Sequence, residues 1–335
     1  MILFSLLIAI IAGIAPMVVY ALIVWWLDRY EKEPWPLLLG TFLWGALPSI
    51  ILALIAELIF DIPIKSLAGE GLTYTFLGSS VIAPLIEEFF KGLAVVAVFL
   101  LFYREFDDVL DGVVYGSIVG FGFAAVENAL YFLAALTEGG AGQMLTLIFM
   151  RAFLFGLNHA FFTSLTGIGL ALARTSRSWP VRLTMPVLGF GLAVTAHALH
   201  NGGATLASVS LCGLLVSLAS DWIGVLVLLF IIILATVQER KWIVQYLADE
   251  VPSGLITPQQ YRVACSYVAR MGERAGALFQ GDLTRFFRLG RFYQMMTHLA
   301  FRKHQLASLG EEGGNRAEVD RFRREVWAMR GQLYA

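Results

Sequence analysis

Seven apolar stretches, each long enough to cross a bilayer, follow one another between residues 2 and 237. About 20 helical residues span a hydrocarbon core about 30 Å thick, and inside it every backbone polar group needs an internal partner. The stretches run over 2–27, 37–60, 75–103, 109–136, 144–173, 183–205 and 207–237. The pattern predicts an all-α, polytopic membrane protein of about seven transmembrane helices. A soluble fold is excluded by composition, because 58% of the residues are hydrophobic and only 15% are charged, more apolar surface than one soluble core hides. The first stretch has neither a basic n-region nor a small-residue cleavage site, so a retained helix is expected there.

The distribution of basic residues predicts the orientation. Arg29 and Lys32 follow the first stretch, Arg104 the third, and Arg174, Arg177 and Arg182 the fifth, whereas the alternate loops hold only Lys65. Lys and Arg favour the cytoplasmic side, which puts the N-terminus outside and the C-terminal tail in the cytoplasm. Of 24 Lys and Arg, 15 lie after residue 238. The expected organisation is therefore a transmembrane domain over 1–238 and a helical cytoplasmic tail over 239–335. Asp221 interrupts the last apolar stretch, which reads as one span or as a broken helix.

In the tail, Thr257, Pro258 and Gln260 spell a capping box with proline at the first helical position, and Asn315 with Glu318 repeats the signal. Two or three amphipathic helices are expected, either solvated or bound to a cytoplasmic partner or anionic lipid. Nothing in the chain calls for nucleic acid. The two cysteines, Cys212 and Cys265, are too few for a disulfide framework or a Cys-rich metal site.

A short set of polar residues stands inside the apolar stretches: Glu57, Glu87, Glu88, Lys91, Asp111, Glu127, Asn128, Arg151, Asn158, His159, His197, His200, Asn201 and Asp221. Each charge costs about 2.5–3.5 kcal/mol at mid-membrane on insertion scales, and such residues normally face a bundle interior or a wet cavity. Glu87 and Lys91 are i,i+4 and share a helix face, whereas Glu88 points about 100° away. His197 and Asn201 are also i,i+4. At about 1.5 Å per residue, Glu87, Glu127, His159 and His197 lie roughly 18, 14, 22 and 12 Å from the outer ends of their spans. Four helices thus deliver polar groups to one layer. Gly112, Gly116 and Gly120 form a small-residue stripe that predicts close helix packing. Asp107, Asp108 and Asp111 read as helix caps.

A carboxylate and a neutral imidazole in a dry cavity can activate a water, and a second histidine with an asparagine can stabilise a developing oxyanion. The set therefore suits amide hydrolysis without a Ser or Cys nucleophile. Glu-Glu-x-x-Lys at 87–91, Asp-Gly at 111–112, "GFGFAAVENALYF" at 120–132, Phe-x-x-x-His at 155–159 and His-x-x-x-Asn at 197–201 together resemble the PrsW family of membrane proteases. That family is similar in motif order to the CAAX prenyl endopeptidase and bacteriocin-processing (ABI) superfamily of glutamate-type intramembrane proteases. The likeness covers about 80–205.

The resemblance implies a hydrolase of a bacterial cytoplasmic membrane that cuts membrane-spanning or membrane-anchored proteins, in some cases within regulated signalling. It implies Glu87 as general base, His159 as a second water-activating residue, and His197 with Asn201 as the oxyanion site. Glu88 and Lys91 would support them, and Glu127 and Asn128 match a motif whose role the sequence does not give. No cofactor is expected on this reading. Two alternatives stay open. His159, His197, His200 and Glu87 could hold zinc, although no His-Glu-x-x-His is present. A transporter or scaffold could use the same carboxylates as a proton relay.

Overall fold

The computed structural model describes residues 2–333, so that Met1 and the last two residues of the expected tail lie outside the described residues. The described chain is all-α, without a strand. Contacts divide it into two units, Met1–Leu27 with Glu33–Ile232, and Asp28–Lys32 with Ile233–Ala335.

In the first unit α1 (Ile2–Leu27) is followed by α2 (Trp35–Trp44) and α3 (Ile50–Ala68), which are joined through a π-helical turn at Gly45–Ser49 containing Pro48. Next come α4 (Leu72–Leu77), a second π-helical turn at Gly78–Ile82, and α5 (Ala83–Leu101). Helix α6 (Val109–Ile148) leads through a third such turn, Phe149–Leu154, to α7 (Asn158–Thr175), α8 (Trp179–Leu206) and α9 (Leu211–Leu247). Pro84 opens α5, where a missing N–H is harmless. Helix α6 starts with a capping box where the sequence predicted helix caps: Asp108 accepts from the N–H of Leu110 and Asp111, and Asp111 Oδ2 accepts from Asp107 and Asp108 N–H at 2.7 Å.

Among the described residues, five helical stretches are long and apolar enough to cross a membrane, against the seven expected. The chain is an integral membrane protein, and the difference in number has two causes. Glu87, Glu88 and Lys91 put three charges into the 19 residues of α5. The stretch Val109–Thr175 is continuous by this measure, yet its 67 residues would reach about 100 Å if straight, some three bilayer cores. It breaks at Gly140, whose φ of +75° suits glycine, and again before Asn158, where α7 begins.

Helices α6 and α7 pack backbone to backbone, as the glycine stripe predicted. A Cβ on Gly112 would stand 2.3 Å from the Gly167 carbonyl oxygen, and one on Gly120 would stand 2.4 Å from that of His159. Gly120→Ala is therefore expected to force the two helices apart, costing about 1–3 kcal/mol. Because the clash is with the backbone of His159 itself, that side chain should be displaced along with the helix. Thermal melting of the variant beside the wild type checks the loss of stability.

The second unit holds α10 (Pro258–Ala264), α11 (Tyr267–Phe279), α12 (Leu283–Leu309) and α13 (Asn315–Leu333), with the end of α9. Four helices replace the expected two or three. The capping box at Thr257 forms, with Gln260 N–H donating to Thr257 Oγ1 at 3.1 Å. The expected cap at Asn315 does not, since Asn315 is itself the first helical residue and its amide donates to the Gly310 carbonyl instead. The core gathers Ile243, Leu247, Phe292, Met296 and Leu299 around Tyr30. Buried Glu250 accepts from Lys303 and Arg323, each at 2.7 Å. Glu31 stands 2.6 Å from His298, so the connection between α1 and α2 belongs to the tail's own packing.

Candidate active site

Helix α5 is the axis of the buried polar set. Glu88 and Lys91 are completely buried and Glu87 nearly so. Lys91 Nζ lies 2.6 Å from Glu88 Oε1 and 3.6 Å from Glu87 Oε2. The same-face partner predicted from spacing is thus the more distant one. Both spacings, i,i+3 and i,i+4, place a side chain within reach, and the flexible lysine stem settles on Glu88. The ammonium also donates to His159 Nδ1 at 3.1 Å and sits 4.4 Å from the centre of the Phe123 ring.

Two histidines close on this pair from α7 and α8. His197 Nδ1 is 3.0 Å from Glu88 Oε1, while its Nε2 faces Glu87 Oε2 at 3.8 Å. Phe162 stacks on the His197 ring with centres 4.8 Å apart. His159 Nε2 is 2.9 Å from Glu127 Oε2. These partners assign the tautomers: a carboxylate holds the proton on Nδ1 of His197, and Lys91 on one side with Glu127 on the other puts it on Nε2 of His159. Glu87, His159 and His197 each present a donor atom within 4.8 Å of the others. Glu87 Oε2 is buried and has no hydrogen-bond partner, a costly state in an apolar medium.

Arg151, from the π-helical turn before α7, accounts for the two residues whose role the sequence left open. Its Nη2 donates to Glu127 Oε2 at 2.5 Å and its Nε to Asn128 Oδ1 at 2.8 Å. Thr163, absent from the sequence reading, donates to Glu88 Oε2 at 2.9 Å. It stands one turn beyond His159 on the same face, a spacing that could have revealed it.

The other two candidates have different surroundings. Asn201 donates to the Ser79 carbonyl at 2.8 Å, in the widened turn before α5. His200 faces away from Glu87 in its contacts: its Nδ1 lies 2.7 Å from Asp221 Oδ2 and 2.9 Å from Ser217 Oγ, and its Nε2 is 3.3 Å from the Asn158 amide. Asp221 therefore lies inside the unbroken α9 as a partner for His200.

A cavity of about 790 Å³ lies against the set, lined by Glu57, Asp61, Glu87, Glu127, Arg151, His159, His200 and Asn201 among others. His197 does not line it; the ring stands behind Glu87. Along α3 the lining residues Ile50, Leu54, Glu57, Asp61 and Ile64 recur at helical spacing, a wall of about 20 Å. That length matches about six residues of extended peptide.

A sequence model described as "PrsW family intramembrane metalloprotease" matches residues 33–237. The chain is 35% identical over 166 residues to Protease PrsW of Geobacillus kaustophilus, covering 49% of this chain and 65% of that protein. Over 107 residues it is 35% identical to Protease PrsW of Clostridioides difficile, 32% of this chain and 43% of the relative. It is 30% identical over 194 residues to Protease PrsW of Oceanobacillus iheyensis, 57% of this chain and 80% of the relative. The chain thus spans less than two thirds of the length of the Geobacillus and Clostridioides proteins. No solved structure matches it. Because the matched region takes in more than half the chain, from the α1–α2 connection through the Glu87, His159 and His197 motifs, this protein belongs to the PrsW family.

Proposed function

We propose that the protein is an intramembrane endopeptidase in which Glu87 activates the attacking water. One observation carries the reading: Glu87, His159 and His197, from three helices, converge within 4.8 Å beside a cavity large enough for a peptide segment. Glu87 takes a proton from water as the water oxygen bonds to the scissile carbonyl carbon. The carbonyl electrons move onto oxygen, and the tetrahedral species collapses by breaking the C–N bond. The leaving amine receives the proton from Glu87. The open Nε2 of His197 is the acceptor that orients the water, while His159, held between Lys91 and Glu127, keeps the Lys91 ammonium beside Glu87. The contact of His197 Nδ1 with Glu88 supports this side of the reaction over the oxyanion role read from the sequence, because Nε2 carries no proton to donate. Asn201 keeps a second amide N–H for the oxyanion.

The family description includes a metal. His197 Nε2 and Glu87 Oε2 are open, and two histidines with a glutamate are an accepted zinc set. Both nitrogens of His159 are engaged, however, and the Lys91 ammonium stands 3.1 Å from its Nδ1 and 3.6 Å from Glu87 Oε2. A cation already occupies the approach that Zn²⁺ would need at about 2.0–2.2 Å from each ligand. The residues do not fit a three-ligand site in this arrangement, and the proposed reaction uses none.

Substrates on this reading are single-span or membrane-anchored proteins. We place seven crossings, the N-terminus outside and the tail in the cytoplasm. The contact of Glu31 with His298 supports the parity, since the α1–α2 connection and the tail then share a side, as six crossings between them require. The test is co-reconstitution with a panel of single-span proteins and mapping of new termini by mass spectrometry. Cleavage within the apolar segment or its edge, unchanged by chelator and without stoichiometric bound metal, is the expected result. Failure to cut any member overturns the peptidase assignment, and loss of activity together with one metal per chain overturns the metal-free one.

A further inference from the structure

Asp221 is a buried carboxylate that the proposed reaction leaves unused, set in the apolar run of α9. Its Oδ2 stands 2.7 Å from His200 Nδ1 on α8. Ser217 Oγ lies 2.9 Å from the same nitrogen and donates its proton to the His200 carbonyl at 3.1 Å, so it too faces Nδ1 as an acceptor. Acceptors on that side hold the ring proton on Nδ1 and leave Nε2 to accept. Phe155 meets the ring edge-on, with centres 5.0 Å apart.

From Nε2 the contacts lead to the active site. The Asn158 amide donates to Nε2 at 3.3 Å, and its Oδ1 accepts from the His159 N–H at 2.7 Å. That N–H belongs to the first turn of α7, where Leu157 offers no side-chain cap. Every proton in the chain thus points toward Asp221, an arrangement that stands only while His200 carries its proton on Nδ1. A cap by itself needs no such support, since one Ser, Asp or Asn beside a helix start suffices. An acid buried at membrane depth and reached only through His200 is costly, and such acids are normally functional.

We propose that Asp221 and His200 are positioning residues for the peptidase site. Asp221 fixes the His200 tautomer, and His200 fixes the Asn158 amide. The amide holds the first turn of α7, where His159 engages Lys91 and Glu127. The effect on rate rests on the peptidase reading; the hold on the His159 N–H does not.

The test uses the full chain in proteoliposomes and two double variants that remove the buried acid together with the imidazole, so that neither strands a charge. Asp221→Leu/His200→Phe deprives the Asn158 amide of its acceptor. Asp221→Leu/His200→Gln keeps one, because the longer amide side chain brings an oxygen to the place of Nε2. In the first, kcat should fall by about 10–100-fold with KM little changed, the size of effect typical of partners behind a site histidine. Hydrogen exchange of the His159 amide, read by mass spectrometry, should accelerate in the same variant. In the second, both quantities should return toward wild type. Asp221→Leu alone should also slow cleavage, and adding His200→Gln should relieve it, since an amide has no tautomer to fix. Equal losses in the two double variants, or wild-type kcat in the first, overturn the proposal. Unchanged exchange in the first overturns it as well, whether or not a substrate is cut. Absence of cleavage by the wild type, with the exchange pattern as expected, counts against the peptidase reading and leaves the chain from Asp221 to His159 standing.

Discussion

Glu87→Gln is expected to slow cleavage by about 10²–10⁴-fold, the contribution of a positioned general base, while leaving the fold intact. Glutamine keeps the shape of the side chain and removes the charge. The affected oxygen, Oε2, has no hydrogen-bond partner to lose, and the desolvation cost that neutralisation removes offsets the loss of its 3.6 Å ion pair with Lys91. Lys91 retains Glu88 at 2.6 Å, so the variant leaves no ammonium stranded. The thermal midpoint should therefore stay level or rise as the rate collapses. Initial rates on a reconstituted substrate, beside a melting curve of the same preparation, separate this from general damage. Cleavage at the wild-type rate would remove Glu87 from the reaction.

The second large effect is expected at Lys91, and here stability should fail first. Lys91→Met keeps the length of the side chain but withdraws the ammonium from Glu88, Glu87 and His159 together. Removing one partner of a buried pair costs about 3–5 kcal/mol, because the remaining charge stays desolvated and unpaired. Adding Glu88→Gln to Lys91→Met should recover much of that stability, since two neutral groups then face each other. It should not restore cleavage, because Glu87 and His159 still lack the cation that orients them. The four-variant cycle, read by melting temperature and by rate, tests the pair directly. A Lys91→Met protein as stable as the wild type would show that the ammonium is not the counter-ion of Glu88.

Much of the architecture was legible from hydropathy because a bilayer leaves helices as the spanning solution for such apolar runs. The capping box at Thr257 and the cap at Asp108 were equally readable, since each needs only neighbours within three residues. The glycine stripe announced a close contact without naming the partner, and the structure makes it α7. Asn315 misled because the same residue types that cap a helix also begin one. The number of spanning stretches was harder to read, since the charges of α5 lower its hydropathy and Gly140 divides a long apolar run without an obvious polar loop.

Sequence alone determined which residues are costly inside the membrane and which share a helix face. Helical spacing is local, so Glu87, Lys91, His197 and Asn201 could be assigned to faces without any knowledge of their neighbours. Which charge meets which was decided only by the tertiary structure. Lys91 turns to Glu88, His197 takes the same carboxylate, Glu127 is shared by His159 and Arg151, and His200 goes to Asp221. Those choices depend on the helix that happens to lie opposite and on rotamers within 2–3 Å, distances over which a buried charge either finds a partner or remains uncompensated.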